Sequence, residues 1–328
     1  MSNNSDFEIP IIDIQNLHSK EPSDIKKITN DFINAYSTLG FSYIINHGIN
    51  KTIIRDVFDA SMEFHALPIK EKNKIELNAL HRGFIAIDTS TDVNSDLAKV
   101  KTPNQSESFM MMREADERDP DVINNSYLTG PNLWPEKPPQ FKQRVLRYSD
   151  EMTKLCSRLT FVIAKSIGIT EEEYFNLFER PTIWLRLLYY PPQEKNIKKD
   201  TYGSAPHRDF GAITILAQDQ IGGLQVQTPA GKWLDVPQLP DTFVVNVGNM
   251  LHRLSNGLLI STPHRVINKT NKERYSCPFF YDPNVNANIR PLGNQASKRK
   301  SAKFKPIIYG DYLKHELTKT YIQHKDGK

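Results

Sequence analysis

The sequence predicts a mainly β protein, a sandwich or barrel of short strands, with helices supplied by its N-terminal half. Three observations carry this prediction. From Thr182 to Tyr281 extended runs recur at regular intervals between turn signals. Before Thr182 the apolar residues fall mostly at helical spacing. No internal repeat with a period of roughly 20 to 50 residues is visible, which argues against a solenoid.

Taken in order, Ile9-Pro10-Ile11-Ile12-Asp13-Ile14 reads as a short buried strand. Ser23-Asp24 starts a helix that carries Ile25, Ile28, Phe32, Ala35, Tyr36 and Leu39 on one face and ends at Gly40. Residues 41–45 read as a strand, closed by a turn at Asn46-His47-Gly48, and 51–65 as an amphipathic helix. Residues 88–106 are polar and aperiodic and read as a surface loop, as does the Pro-rich stretch 131–139. A long helix is expected over 140–167, with Phe141, Val145, Met152, Leu155, Leu159 and Ile163 as its apolar stripe. Thr170-Glu171-Glu172-Glu173 has the form of a capping box opening another helix. Strands are then expected over 183–190, 212–216, 224–228, 233–236, 242–247, 264–268 and 275–281. Gly222-Gly223, Pro229-Ala230-Gly231 and Asn256-Gly257 supply turns. The basic tail residues Lys298, Arg299, Lys300, Lys303 and Lys305 read as a solvated loop, with an anion or partner contact as the alternative.

Composition bounds the function. With 328 residues, 38% hydrophobic and 24% charged, the chain is globular and long enough for one large domain or two smaller ones. A net charge of +4 is small for this length and gives no reason to invoke nucleic acid or an anionic membrane. Cys156 and Cys277 form neither a CxxC pair nor a disulfide framework, and read as buried thiols in a reducing compartment. The N-terminus shows no secretory pattern, and no apolar run approaches the roughly 18 to 20 residues that span a bilayer. The expected location is the cytoplasm, and the default oligomeric state is a monomer.

Two motifs carry chemistry. His207-Arg208-Asp209 places imidazole and carboxylate at i and i+2, on one side of an extended segment. Two histidines and one carboxylate on one face of an octahedron leave three positions open, the arrangement of non-haem iron(II) oxygenases. His264 opens a later strand and is the best third ligand. Arg274-Tyr275-Ser276 repeats the i, i+2 geometry with a guanidinium fork and a hydroxyl, a receptor for a carboxylate. The ordinary alternatives are a chance HxD and a structural ion pair for Arg274.

The combined pattern resembles the isopenicillin-N-synthase-like family of iron(II)/2-oxoglutarate-dependent dioxygenases. HxD is followed by about 55 residues to His264 and ten more to Arg274-Tyr275-Ser276. Pro206-His207-Arg208-Asp209-Phe210-Gly211, Gly222-Gly223-Leu224-Gln225-Val226, the stretch from Val245 through Leu251, Asn256-Gly257, Ser261-Thr262-Pro263-His264-Arg265-Val266 and Phe279-Phe280-Tyr281-Asp282-Pro283 extend the similarity. So do Ile9-Pro10-Ile11-Ile12-Asp13, Gly40-Phe41 and Asn46-His47-Gly48, so that it covers roughly residues 7–315.

The resemblance implies a double-stranded β-helix, or jelly roll, wrapped by N-terminal helices. It divides the chain into an N-terminal α/β region (1–130), a helical connection (131–180), a catalytic core (181–292) and a tail packed on the core (293–328). It implies iron(II) on His207, Asp209 and His264, and 2-oxoglutarate held at its distal carboxylate by Arg274 and Ser276, with Tyr190 beside them. Dioxygen is the second cosubstrate, and ascorbate an accessory reductant in some relatives. The implied reaction releases succinate and carbon dioxide while a small organic molecule is hydroxylated, desaturated or cyclised. Leu188 stands where many 2-oxoglutarate users have Asn, and Gly248-Asn249 where Gly-Asp is common. The presence of Asp209 argues against halogenation.

Competing readings are a 2-oxoglutarate-independent iron oxidase, with the substrate's own carboxylate on Arg274 and Ser276, and a non-catalytic jelly-roll binding protein. A zinc hydrolase would leave Arg274-x-Ser276 unexplained, and a nucleic-acid demethylase lacks its basic, aromatic-laced stripe. The substrate pocket is expected to be walled by 88–109, 193–204 and the tail, with Phe109, Met110, Met111, Met112 and Phe210 as apolar candidates, core packing being an equal reading for each methionine. His47 is expected to be structural, and His65 and His81 to sit at exposed helix or loop positions, with a place at the substrate mouth as the alternative. His252 is expected to cap a helical turn, and His315 and His324 are tail residues for which the sequence shows no partner.

Overall fold

The architecture follows from where the apolar stripes are spent. A computed structural model describes residues 8–90, 97, 100, 102–193, 201–293 and 302–321. Among these, β1 (Ile11–Asp13), β2 (Phe41–Ile45), β3 (Gly83–Ile85), β4 (Glu107–Met112), β5 (Thr182–Tyr190), β7 (Ile213–Gln218), β10 (Phe243–Val247) and β12 (Arg274–Asp282) form one sheet, in the order β1-β2-β10-β7-β12-β5-β4-β3. A four-stranded sheet, β6-β11-β8-β9, comprises β6 (Ser204–His207), β8 (Leu224–Gln227), β9 (Trp233–Asp235) and β11 (His264–Val266). Strands consecutive in sequence are mostly not neighbours, as expected of a jelly roll rather than a meander.

The helices cover the back of the large sheet. Helix α5 (Phe141–Ser166) buries the expected stripe and packs on α1 (Pro22–Thr38) and α2 (Lys51–His65). Phe141 lies 5.3 Å from Phe64 of α2 and 4.9 Å from Phe109 of β4, ring centre to ring centre. Helix α1 begins one residue before the expected start, with Pro22 in its first turn, where a missing N–H costs nothing. At α6 (Glu171–Phe178) the capping box is complete: Glu173 N donates to the Thr170 hydroxyl at 3.2 Å and Thr170 N to the Glu173 carboxylate at 2.9 Å. Gly40, at φ +73°, ends α1 with its α-carbon against the Ile260 carbonyl, so any β-carbon there would collide with backbone.

Several expectations are corrected. The residues directly after the expected loop 88–106, Glu107–Met112, form a fully buried strand between β3 and β5 that was not among the expected strands. It was illegible because a strand covered on both faces shows no alternation. His65 and His81 are buried, not exposed, at 6% and 0% of their surface. The tail beyond 302 contains β14 (Ile307–Ile308), paired with β13 (Asn288–Ile289), and helix α8 (Tyr309–Thr320), whose Tyr309, Leu313 and Leu317 are buried. Lys303 and Lys305 are exposed. Lys298, Arg299, Lys300, His324, residues 194–200 and much of 91–101 lie outside the described residues. Among the described residues no helix is long and apolar enough to cross a membrane.

Candidate metal centre and its two cavities

Register brings the HxD motif and the distant histidine together. His207 ends β6 and His264 begins β11, and the two are direct antiparallel partners. Asp209 follows two residues after His207, and its backbone is pinned from the other side of the barrel. Its carbonyl accepts from Asn249 N at 2.8 Å, and Gly248 packs so closely on the Gly211 carbonyl that a β-carbon would not fit. The result is a compact cluster. Asp209 Oδ1 lies 3.6 Å from His207 Nε2 and 3.5 Å from His264 Nε2, and one donor atom from each residue falls within 4.8 Å of the others.

Each of the three side chains is oriented by a further contact. His207 Nδ1 is 2.8 Å from the Ala205 carbonyl, and His264 Nδ1 is 3.2 Å from that of Thr262. A backbone carbonyl can only accept, so each ring carries its proton on Nδ1 and turns an Nε2 lone pair toward Asp209. Asp209 Oδ2 accepts from the Thr214 hydroxyl at 2.5 Å and from Asn246 Nδ2 at 2.7 Å, which leaves Oδ1 facing the imidazoles. In the metal-free cluster burial pushes the Asp209 carboxyl up, but His264 and His207 in their protonated form and the Asn246 amide outweigh it and hold it well below the usual carboxylate range, a role that passes to the metal once the rings are neutral. Thr214 and Asn246 were not singled out from sequence. They are cross-strand partners in β7 and β10, a fact that exists only once the register is known.

The cluster opens into a cavity between the two sheets. Phe41 and Leu188 line it, together with Tyr190, Arg274 and Ser276. Arg274 is completely buried. Its Nε donates to the Gly222 carbonyl at 2.5 Å, one Nη to Ser276 Oγ at 3.2 Å and the other to Gln218 Oε1 at 3.3 Å. Its guanidinium sits 4.5 Å above the ring of Tyr190, its partner across β12 and β5. Among the described residues no carboxylate lies within ion-pair distance of Arg274, so the structural-ion-pair alternative is not realised. Asp219 lies near enough to feel its charge but makes no ion pair with it, so this buried guanidinium beside a hydroxyl can receive an external carboxylate.

A second cavity lies on the other side of the cluster. His207, Asp209 and Arg186 line both cavities, and Met110, Trp184, Phe210, Phe280, Leu317 and Tyr321 wall the second. Of the five apolar candidates named from sequence, Met110 and Phe210 reach it. Phe109, Met111 and Met112 are core. The end of α8 forms part of this wall, as expected of the tail.

Three other histidines, His47, His252 and His81, have packing roles. His47 lies 4.3 Å from the Phe243 ring and accepts from Ile49 N at 3.1 Å. His252 is in the last turn of α7 (Asn249–Leu254), 2.5 Å from the Leu259 carbonyl. His315 is exposed on α8. His81 packs on Trp184 and Tyr321, behind the wall of the second cavity.

Comparison with known proteins agrees with this geometry. Residues 182–283 match the model of the 2OG-Fe(II) oxygenase superfamily. Residues 9–137 match that of the non-haem dioxygenase in morphine synthesis N-terminal region. The chain is 32% identical over 320 residues to the 2-oxoglutarate-Fe(II) type oxidoreductase hxnY of Emericella nidulans, covering 95% of this chain and 90% of that one. It is 31% identical over 337 residues to a homoarginine-6-hydroxylase of Glycine max, covering 97% and 99%. A full-length Neurospora crassa protein solved in complex with alpha-KG and thymine superposes with a TM-score of 0.84 at 26% identity, covering 97% and 99%.

Proposed function

The chain belongs to the 2OG-Fe(II) oxygenase superfamily, and from that premise we propose that His207, Asp209 and His264 hold iron(II) while Arg274, Ser276 and Tyr190 hold the distal carboxylate of 2-oxoglutarate. The donor set fits the metal. Two neutral imidazoles and one carboxylate suit a divalent first-row ion, and the fixed Nδ1 contacts leave no freedom in which ring atom is offered. When bound, the iron and 2-oxoglutarate supply the oxidising power, with dioxygen as oxidant and succinate and carbon dioxide as products. The protein's own residues bind and orient. Asn246 and Thr214 fix Asp209, Arg274 and Ser276 anchor the cosubstrate, and Leu188, Leu224 and Val266 keep the first cavity apolar.

The observation that carries the reading is one cavity lined both by the His-Asp-His cluster and by a buried guanidinium that, among the described residues, has no ion-pair partner. The enzyme is then an oxidoreductase that hydroxylates, desaturates or cyclises a small organic molecule entering through the second cavity. The segment 181–292 acts as the catalytic core, and the protein works as a cytoplasmic monomer of the isopenicillin-N-synthase-like branch. Both cysteines being buried and unpaired supports a reducing location.

The test is anaerobic addition of iron(II) and then 2-oxoglutarate to the metal-free protein, watching for the visible charge-transfer band of a chelated keto acid. A band that weakens at least about tenfold in apparent 2-oxoglutarate affinity in Arg274→Ala supports the reading. Iron binding without a band would move the assignment to an oxidase holding its substrate's carboxylate at Arg274 and Ser276. Absence of iron binding would leave a non-catalytic jelly roll.

A further inference from the structure

Arg186 projects from the middle of β5, opposite Met110 of β4, and is the residue of the apolar strand Thr182–Tyr190 that brings a charge between the two cavities. Only part of its fork is used by the protein. Nε donates to the Ser108 hydroxyl at 2.8 Å and Nη1 to the Tyr321 hydroxyl at 3.4 Å, while Nη2 is buried without any partner. Among the described residues no carboxylate lies within ion-pair distance of it. The acids that line the second cavity are otherwise engaged. Asp209 faces the two histidines, and Asp282 accepts from Ala212 N at 2.8 Å and from the Tyr309 hydroxyl at 2.6 Å. Burying a guanidinium donor and leaving it empty is costly, so such a group is expected to meet its partner in the ligand.

Resting on the reading above, we propose that the molecule oxidised by this enzyme is a small organic carboxylate, whose acid group is received by Arg186 in the second cavity. Its body is apolar and flat enough to lie among Trp184, Phe210, Phe280, Met110 and Leu317. His207 and Asp209 line the same cavity, so an acid seated on Arg186 places its carbon skeleton beside the metal ligands. Arg186 is therefore distinct in role from Arg274: one guanidinium receives the cosubstrate and the other the substrate. Tyr321, at the end of α8, orients the Arg186 fork and couples the C-terminal helix to substrate recognition.

The experiment compares matched acids and amides on the protein loaded with iron(II) and saturated with 2-oxoglutarate, so that Arg274 is already occupied. Phenylacetate and phenylacetamide, and hexanoate and hexanamide, are titrated without oxygen, and the perturbation of the charge-transfer band gives each apparent affinity. The expected result is a preference for acid over amide of about tenfold or more. It should be reduced to parity in Arg186→Gln and partly kept in Arg186→Lys. Equal binding of acids and amides, no binding of either, or a preference that survives Arg186→Gln would overturn the proposal. So would loss of the band in both Arg186 variants before any acid is added, since Arg186 would then belong to the cosubstrate. If the unsubstituted protein shows no band at all, it is the cosubstrate assignment that has failed, and that outcome is read before any acid is present.

Discussion

Two clusters in this molecule each set histidine against a buried carboxylate, and only one of them turns its donor atoms toward a cavity. His207, Asp209 and His264 form the first. His65, Glu107 and Lys72 form the second, with Glu107 Oε1 at 2.8 Å from His65 Nδ1 and 2.5 Å from Lys72 Nζ. In the second cluster both ring nitrogens of His65 are taken by the protein, the other by the Leu187 carbonyl at 3.1 Å, and an ammonium sits on the carboxylate. In the first, backbone carbonyls orient the rings from behind, and the Nε2 atoms and Oδ1 converge on one point at the wall of a cavity. The difference teaches that residue type does not make a metal centre. What matters is that the outer contacts use up the wrong atoms and leave the right ones converging.

The comparison breaks most sharply by exchanging the losses. His207→Ala is expected to abolish iron binding and turnover while the unfolding free energy of the metal-free protein changes by less than about 1 kcal/mol. His65→Gln should do the reverse, keeping the metal and losing about 1–3 kcal/mol of stability from its buried hydrogen bonds. Metal analysis and denaturant titration on both variants decide it. A His65 variant that lost iron would merge the two clusters into one functional unit.

Glu107→Gln tests the closed cluster directly. It strands a buried Lys72, which is 6% exposed, and should cost about 3 kcal/mol in denaturant unfolding, with iron content unchanged. A near-neutral result would mean that Lys72 finds another partner or solvent. In the open cluster the matching outer contact is Asn246. Asn246→Ala should weaken iron affinity by about 10- to 100-fold with a smaller effect on stability, measured by competition with a chelator.

The smallest effect expected is on pH. Burial lowers the His65 imidazole below its ordinary value of 6.5, with Glu107 offsetting only part of this. The unfolded chain therefore takes up a proton before the folded one does. Stability from this group is complete above pH 6.5 and falls as the pH drops below it. The difference in melting temperature between the parent and His65→Gln should accordingly narrow on acidification below that point. A difference that widened on acidification would mean that His65 is held protonated by Glu107.

Much of this was legible in the chain. His207 and Asp209 share a side because an extended backbone alternates, and Arg274 and Ser276 share one for the same reason. Helices α2 and α5 could be placed because each has one covered face. Strand β4 could not, because both of its faces are buried, and neither could the burial of His65 and His81, which depends on what strands β3 to β5 bring beside them.

By itself the sequence determined the family pattern, most of the strands and turns after Thr182, and the residue types of the proposed iron and 2-oxoglutarate sites, since these are local spacings that any extended segment expresses. Only the tertiary structure decided three further things: that His264 lies directly across from His207, that Asn246 and Thr214 reach the same carboxylate oxygen, and that Arg186 stands between two cavities with one donor left over. Each is a cross-strand or cross-sheet relation between residues far apart in the chain. Such relations are set by register and sheet closure, and no local pattern in the sequence encodes them.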